Sequence, residues 1–315
     1  MRRIDVHQHY LAKHYLDAVG MDRITANSTV RSLPEWSVDG SLELMDRVGI
    51  DCAVLSVSDP GLELESDEST ARLARECNDG QARVVSDHPR RFGFFAALPL
   101  PNVAHTLREI EYSLDTLHAD GVGMLSNYRG AYVGDPAFWP VFEELDRRKA
   151  VLFVHPTRPA GSSGIPGMAP AILEFPFDTT RAIVSLLYYG TAARFPNVRV
   201  IWTHGGGAMP YMAGRTAVVS ARDPKFQQSG PGRLLPALQN FYYDMTQSAS
   251  RPTFAALRSL VPAEKLLYGS DRPFAAENQM KLAMDDFAGL DLTDAERSAI
   301  ARDNAVALFP RFGTS

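Results

Sequence analysis

Two histidines one residue apart end the first apolar run of the chain, Ile4-Asp5-Val6-His7-Gln8-His9. Side chains alternate faces along a strand, so His7 and His9 point the same way and can share one metal ion. Three more runs end in groups of the same kind. Val151-Leu152-Phe153-Val154-His155 stops at Pro156, Val200-Ile201-Trp202-Thr203-His204 runs into Gly205-Gly206-Gly207, and Leu266-Leu267-Tyr268-Gly269-Ser270 leads to Asp271. Imidazoles and carboxylates hold divalent metals and also carry protons near neutral pH. His14, His88, His105 and His118 lie in loop-like or helix-like segments and are assigned to surface or packing roles.

Strand ends converge on one site only if the strands themselves are arranged to bring them together. Short β-branched or aromatic runs recur near residues 3–7, 51–57, 92–98, 122–127, 150–155, 198–204, 241–245 and 265–270. Segments with helical spacing or composition separate them, including 42–48, 68–87, 104–119, 136–149 and 178–194. Gly49, Gly121 and Pro196 punctuate helix ends. An eightfold βα alternation over about 300 residues predicts an α/β fold, a (β/α)8 TIM barrel whose strand ends meet on one face, with a doubly wound open sheet as the alternative. Residues 10–40 and 156–176 form long insertions after the first and fifth strands, and both rise from the catalytic face. Residues 1–315 read as a single domain. Phe153 and Trp202, two residues before His155 and His204, are expected in the barrel core.

Composition bounds the chemistry. With 45% hydrophobic and 22% charged residues in 315, the chain has an ordinary globular make-up, and a net charge of -5 with scattered arginines argues against a nucleic-acid surface. The partner expected is a small molecule. The sequence shows neither a membrane span nor an N-terminal signal, and its two cysteines, Cys52 and Cys77, suggest no disulfide framework, so a cytoplasmic location is expected.

The H-x-H after the first strand, His155-Pro156, Thr203-His204-Gly205-Gly206-Gly207 and Gly269-Ser270-Asp271-Arg272-Pro273-Phe274 together resemble the amidohydrolase superfamily. The similarity is to the group containing aminocarboxymuconate-semialdehyde decarboxylase and the resorcylate and methylsalicylate decarboxylases. It spans the chain in order and includes Met45–Asp51 and Glu174–Arg181. The resemblance implies that His7, His9, His155 and Asp271 bind the metal and that His204 is the acid/base beside it, working with Asp271. It implies that Arg215 reaches a neighbouring subunit's pocket and binds a substrate carboxylate, hence a homodimer, and it makes Arg31 the nearest counterpart of a second arginine. Phe177 and Phe274 are the aromatic pocket candidates.

Binuclear members of that superfamily need a carbamylated lysine at the end of a middle strand. None of Lys13, Lys149, Lys225, Lys265 and Lys281 ends a predicted strand, so one divalent ion is expected, Zn²⁺ first and Mn²⁺ second. The expected reaction is non-oxidative decarboxylation of an aromatic or unsaturated carboxylic acid of the ortho-hydroxybenzoate kind. The alternative is hydrolysis of a lactone, ester or amide by a metal-bound hydroxide.

Overall fold

The computed structural model describes residues 2–30, 32–161, 164–229 and 234–314. Eight parallel strands follow one another around a single sheet in chain order. They are β1 (Arg3–His9), β2 (Ile50–Ser56), β3 (Phe92–Ala97), β4 (Gly121–Leu125), β5 (Val151–His155), β6 (Arg199–Trp202), β7 (Tyr242–Asp244) and β8 (Leu266–Leu267). The sheet closes on itself through backbone bonds: Val6 N–H donates to the Tyr268 carbonyl at 3.0 Å, and Asp271 N–H to the His7 carbonyl at 2.8 Å. The fold is therefore the (β/α)8 barrel, and the open-sheet alternative falls.

Local chemistry explains several of the outer helices. Ser37 caps the helix Val38–Val48, which buries Leu44, Met45 and Val48, and Gly49 ends it at φ 73°. Ser66 closes a capping box on the helix Asp67–Asp87. Inside the barrel, Val6, Val54, Phe95, Phe153 and Ile201 pack in one cluster with the C-terminal Phe309 and Phe312, which plug the floor. Phe95 and Phe153 stack with centroids 4.9 Å apart. With the floor filled, the polar strand ends face an open upper rim.

Three sequence expectations change. Trp202 does not join the barrel interior; it packs in the outer layer against Phe241, with centroids 5.8 Å apart, while its neighbour Ile201 faces inward. Strand alternation cannot be carried from Trp202 to His204 because β6 ends first and His204 turns to φ 53°. The helix expected from Asp178 begins at Pro170, since proline at the first helical position suits a start rather than a stop. Gly121 opens β4 instead of ending a helix; a Cβ there would press on the Val151 carbonyl. The connection after β1 carries two short helices, Lys13–Val19 and Met21–Thr25. No described helix is long and apolar enough to cross a membrane.

Candidate active site

The pairing of β1 with β2 slips between Asp5 and Gln8. The irregularity lets Val6 join the interior cluster while the His7 ring meets Phe153 edge-on, with centroids 5.2 Å apart. Asp5 pins this segment to the end of β8: its carboxylate accepts from Ser270 Oγ at 2.6 Å and from the backbone N–H of Ser270 and of His7, each at 3.0 Å. Burial pushes its carboxyl up to about 6, against the pull of these bonds.

The strand ends converge. One donor atom each from His7, His155, His204 and Asp271 lies within 4.8 Å of the others. His9 joins them, with Nε2 3.2 Å from His7 Nε2 and 3.0 Å from Asp271 Oδ1.

Each of the three strand histidines has its Nδ1 engaged from behind. His7 Nδ1 lies 2.9 Å from Asp244 Oδ2, His155 Nδ1 2.7 Å from the Pro156 carbonyl, and His9 Nδ1 3.1 Å from Ser56 Oγ. A carbonyl or carboxylate can only accept, and Ser56 gives its own proton to the Gln8 carbonyl. The proton of each ring therefore sits on Nδ1, and each Nε2 presents a lone pair. Lone pairs of neighbouring imidazoles facing one another beside a carboxylate oxygen repel unless a cation lies between them. The donor set fits a divalent metal, with the outer acceptors fixing ring orientation as metal sites require.

Burial opposes charge on Asp271, but its interactions with His204 and His9 and the field of His7 outweigh burial and hold the carboxyl well below the usual range. Burial, helped by His9 and His7, holds His155 well below the ordinary imidazole value, and burial also lowers His9. At His7 burial is overcome by the Asp244 carboxylate, which favours positive charge at this point.

A cavity of about 590 Å³ opens on this cluster. His155, His204 and Asp271 line it, and Phe175, Pro176 and Phe274 add apolar surface beside them. Phe274 lies edge-on to His9 at 5.4 Å. Asp59 ties the rim together: it accepts from Asn27 Nδ2 at 2.9 Å, in the loop after β1, and from Thr157 Oγ1, in the loop after β5. Gly207 lines the cavity at φ 63°, where a Cβ would collide with the Pro176 carbonyl. The glycine run thus lets the β6 turn lie against the helix that carries Phe175 and Pro176.

The predicted residues fare unequally. His7, His9, His155, His204 and Asp271 come together, and Phe274 lines the cavity. Phe177 is 40% exposed and outside the lining, because two helical steps from Phe175 turn it away. Arg215 is exposed on the helix Met209–Ser220, also outside the lining. Arg31 lies outside the described residues. Sequence reasoning missed Asp244, Ser56 and Gln247. Asp244 carried the same signal as Asp271, a carboxylate ending an apolar run, whereas a glutamine in a turn, or a serine at the end of β2, carries none.

Residues 4–311 match the family described as amidohydrolase. Among curated relatives, Decarboxylase yanB of Aspergillus niger is 36% identical over 99% of this chain and 88% of its own length. The 6-methylsalicylic acid decarboxylase of Penicillium expansum is 32% identical over 99% of this chain and 97% of its own. Among solved structures, dihydroxybenzoic acid decarboxylase from Polaromonas sp. JS666, with bound manganese and the inhibitor 2-nitroresorcinol, superposes with a TM-score of 0.86. It is 24% identical and covers 98% of this chain and 97% of that one, a likeness of fold.

Proposed function

This chain belongs to the amidohydrolase family, and we propose that it is a metal-dependent carboxy-lyase that removes CO2 from an ortho-hydroxybenzoate-like acid without oxidation. The observation that carries this reading is the cluster of Nε2 lone pairs around Asp271, set in a cavity that Phe175 and Phe274 line beside His155 and His9. The relatives named for decarboxylation extend over nearly the whole chain, and they favour the lyase over the hydrolytic alternative.

His7, His9, His155 and Asp271 would hold one divalent ion, Zn²⁺ or the Mn²⁺ seen in the Polaromonas structure. When bound, the ion supplies Lewis acidity and a fixed point for the substrate's carboxylate and adjacent oxygen. The protein does the rest. Phe274 and Phe175 confine the ring and exclude water. Asp271 and His204, 3.8 Å apart, carry the proton to the ring carbon that bears the carboxylate. That carbon becomes tetrahedral, the C–C bond breaks, its electron pair restores the aromatic ring and CO2 leaves. A screen of ortho-hydroxybenzoates for CO2 release, with metal content quantified, tests the proposal. Release from at least one such acid, proportional to bound metal, is expected; none across the series contradicts it.

Arg215 supports a dimer. With Tyr211, Val218 and Val219 it occupies one helical face, and these three apolar side chains are 85, 67 and 56% exposed. An exposed apolar stripe of this kind suits a second copy of the chain, to whose cavity the guanidinium would offer two parallel hydrogen bonds for a carboxylate. Light scattering of V218D/V219D checks this: a dimer for the unaltered protein and a monomer for the variant are expected, and a monomeric unaltered protein rules it out. A cytoplasmic location and a single domain over residues 1–315 complete the reading; Cys52 and Cys77 are both buried.

A further inference from the structure

Three non-glycine residues hold left-handed backbone around the site: His204 at φ 53°, Gln247 at φ 51° and Asp271 at φ 64°. Two of them have roles above; Gln247 has none yet. It lies in the turn after β7, between Thr246 and Ser248, which are 1% and 4% exposed, while its own side chain is open to the cavity it lines. The turn is held from both sides, with Thr246 N–H on Asp244 Oδ1 and Ser248 N–H on the Met245 carbonyl, each at 3.0 Å. Glycine would adopt this φ without strain, so the backbone alone gives no reason for a long amide side chain here.

The amide is aimed at Asp271. Gln247 Nε2 donates to Asp271 Oδ2 at 3.0 Å. The two oxygens of Asp271 are thereby made unequal. Oδ1 faces the ligand nitrogens, 3.0 Å from His9 Nε2 and 3.5 Å from His7 Nε2. Oδ2 lies between Gln247 and His204, whose Nε2 is 3.8 Å away. The Asp271 backbone is fixed by bonds on both sides, its N–H to the His7 carbonyl and its carbonyl from Ala275 N–H, each 2.8 Å. Rotation about the Cβ–Cγ bond would exchange the two oxygens without disturbing these backbone bonds.

We infer that Gln247 is a positioning residue that locks this rotation, reserving Oδ1 for the metal and Oδ2 for proton transfer with His204. An amide suits the task because it donates at every pH and takes up no proton, so it never competes for the one being moved. It fills one acceptor position of Oδ2 and leaves the other turned to His204 and the substrate. The inference rests on the decarboxylase reading for its kinetic consequence but not for its geometry.

The test is Q247L, similar in size but unable to donate, read in two ways. Kinetically, with whichever ortho-hydroxybenzoate the protein decarboxylates, kcat should fall about 10- to 100-fold. KM and bound metal should stay within about twofold, and the solvent deuterium isotope effect on kcat should rise as proton transfer becomes slower. A kcat unchanged from the parent, or a loss confined to KM, overturns the role. Structurally, a crystal structure of Mn²⁺-loaded Q247L should show the Asp271 carboxylate rotated or split between two orientations; an unmoved carboxylate overturns it. The second reading needs no turnover. A parent protein inert toward every acid would therefore strike the decarboxylase reading alone and leave the carboxylate's orientation to decide this one.

Discussion

The imidazole of His7 and the carboxylate of Asp244 meet at 2.9 Å with both side chains wholly buried. Asp244 also accepts from the backbone N–H of His204 at 3.0 Å, so one carboxylate orients the His7 ring and places the backbone of His204 beside it. A site assembled from separate strand ends needs such ties to hold the groups that would face a metal.

Replacing Asp244 by alanine removes the acceptor that keeps the His7 proton on Nδ1. Loss of an outer partner of this kind weakens metal binding by about 10- to 100-fold. Competition with a chromophoric chelator measures it, and unchanged metal affinity would show that the tautomer is set elsewhere.

Asp271→Asn keeps the shape of the side chain but removes its charge and its ability to carry the proton. Turnover should fall by about 10²- to 10⁴-fold, the usual share of a positioned acid or base. Circular dichroism should show the barrel folded. Retained activity would remove Asp271 from the chemistry.

Removing the metal should lower stability as well as abolish turnover, because the ion binds the assembled strand ends and not the unfolded chain. At a free metal concentration 100 times its Kd the loss is about 2.7 kcal/mol. Melting curves with and without chelator report it, and superimposable curves would speak against a metal bridging the strands.

Asp59→Ala should loosen the cavity rim. It leaves the half-buried Asn27 and Thr157 without their acceptor, a cost below the figure of about 1–3 kcal/mol for fully buried groups because water can replace it in part, and KM should rise more than kcat falls. The pH dependence has a definite sign. Burial holds the Asp59 carboxyl above its ordinary 3.8, so the folded protein binds this proton more tightly than the unfolded chain. The contribution favours folding below the ordinary value and is lost as pH rises through the folded one. Urea titrations of the parent and of D59A across that window should differ in slope in this direction, and parallel profiles would contradict it.

The barrel and the ligand cluster were legible because both are written in strands. Apolar runs ending in His7 and His155 give the strand, its direction and the donor together, and the run before Asp271 gives the strand and the donor although the chain turns left-handed between them. Legibility fails where the chain leaves the strand. His204 lies beyond the end of β6 in a left-handed turn, so counting by twos misplaced Trp202. Pro176 looked like loop punctuation, yet it sits inside the helix Pro170–Tyr188, and that error exchanged Phe175 for Phe177 as the aromatic lining. Ser56 and Gln247 act through contacts made only once distant segments meet, to which local pattern gives no access.

The most direct measurement is decarboxylation in D2O by metal-loaded protein, using an ortho-hydroxybenzoate labelled with ¹³C in its carboxyl group. The account predicts one equivalent of ¹³CO2 and a phenol carrying a single deuterium at the vacated carbon. Absence of labelled CO2 throughout the series, or a phenol without deuterium at the vacated carbon, would contradict it.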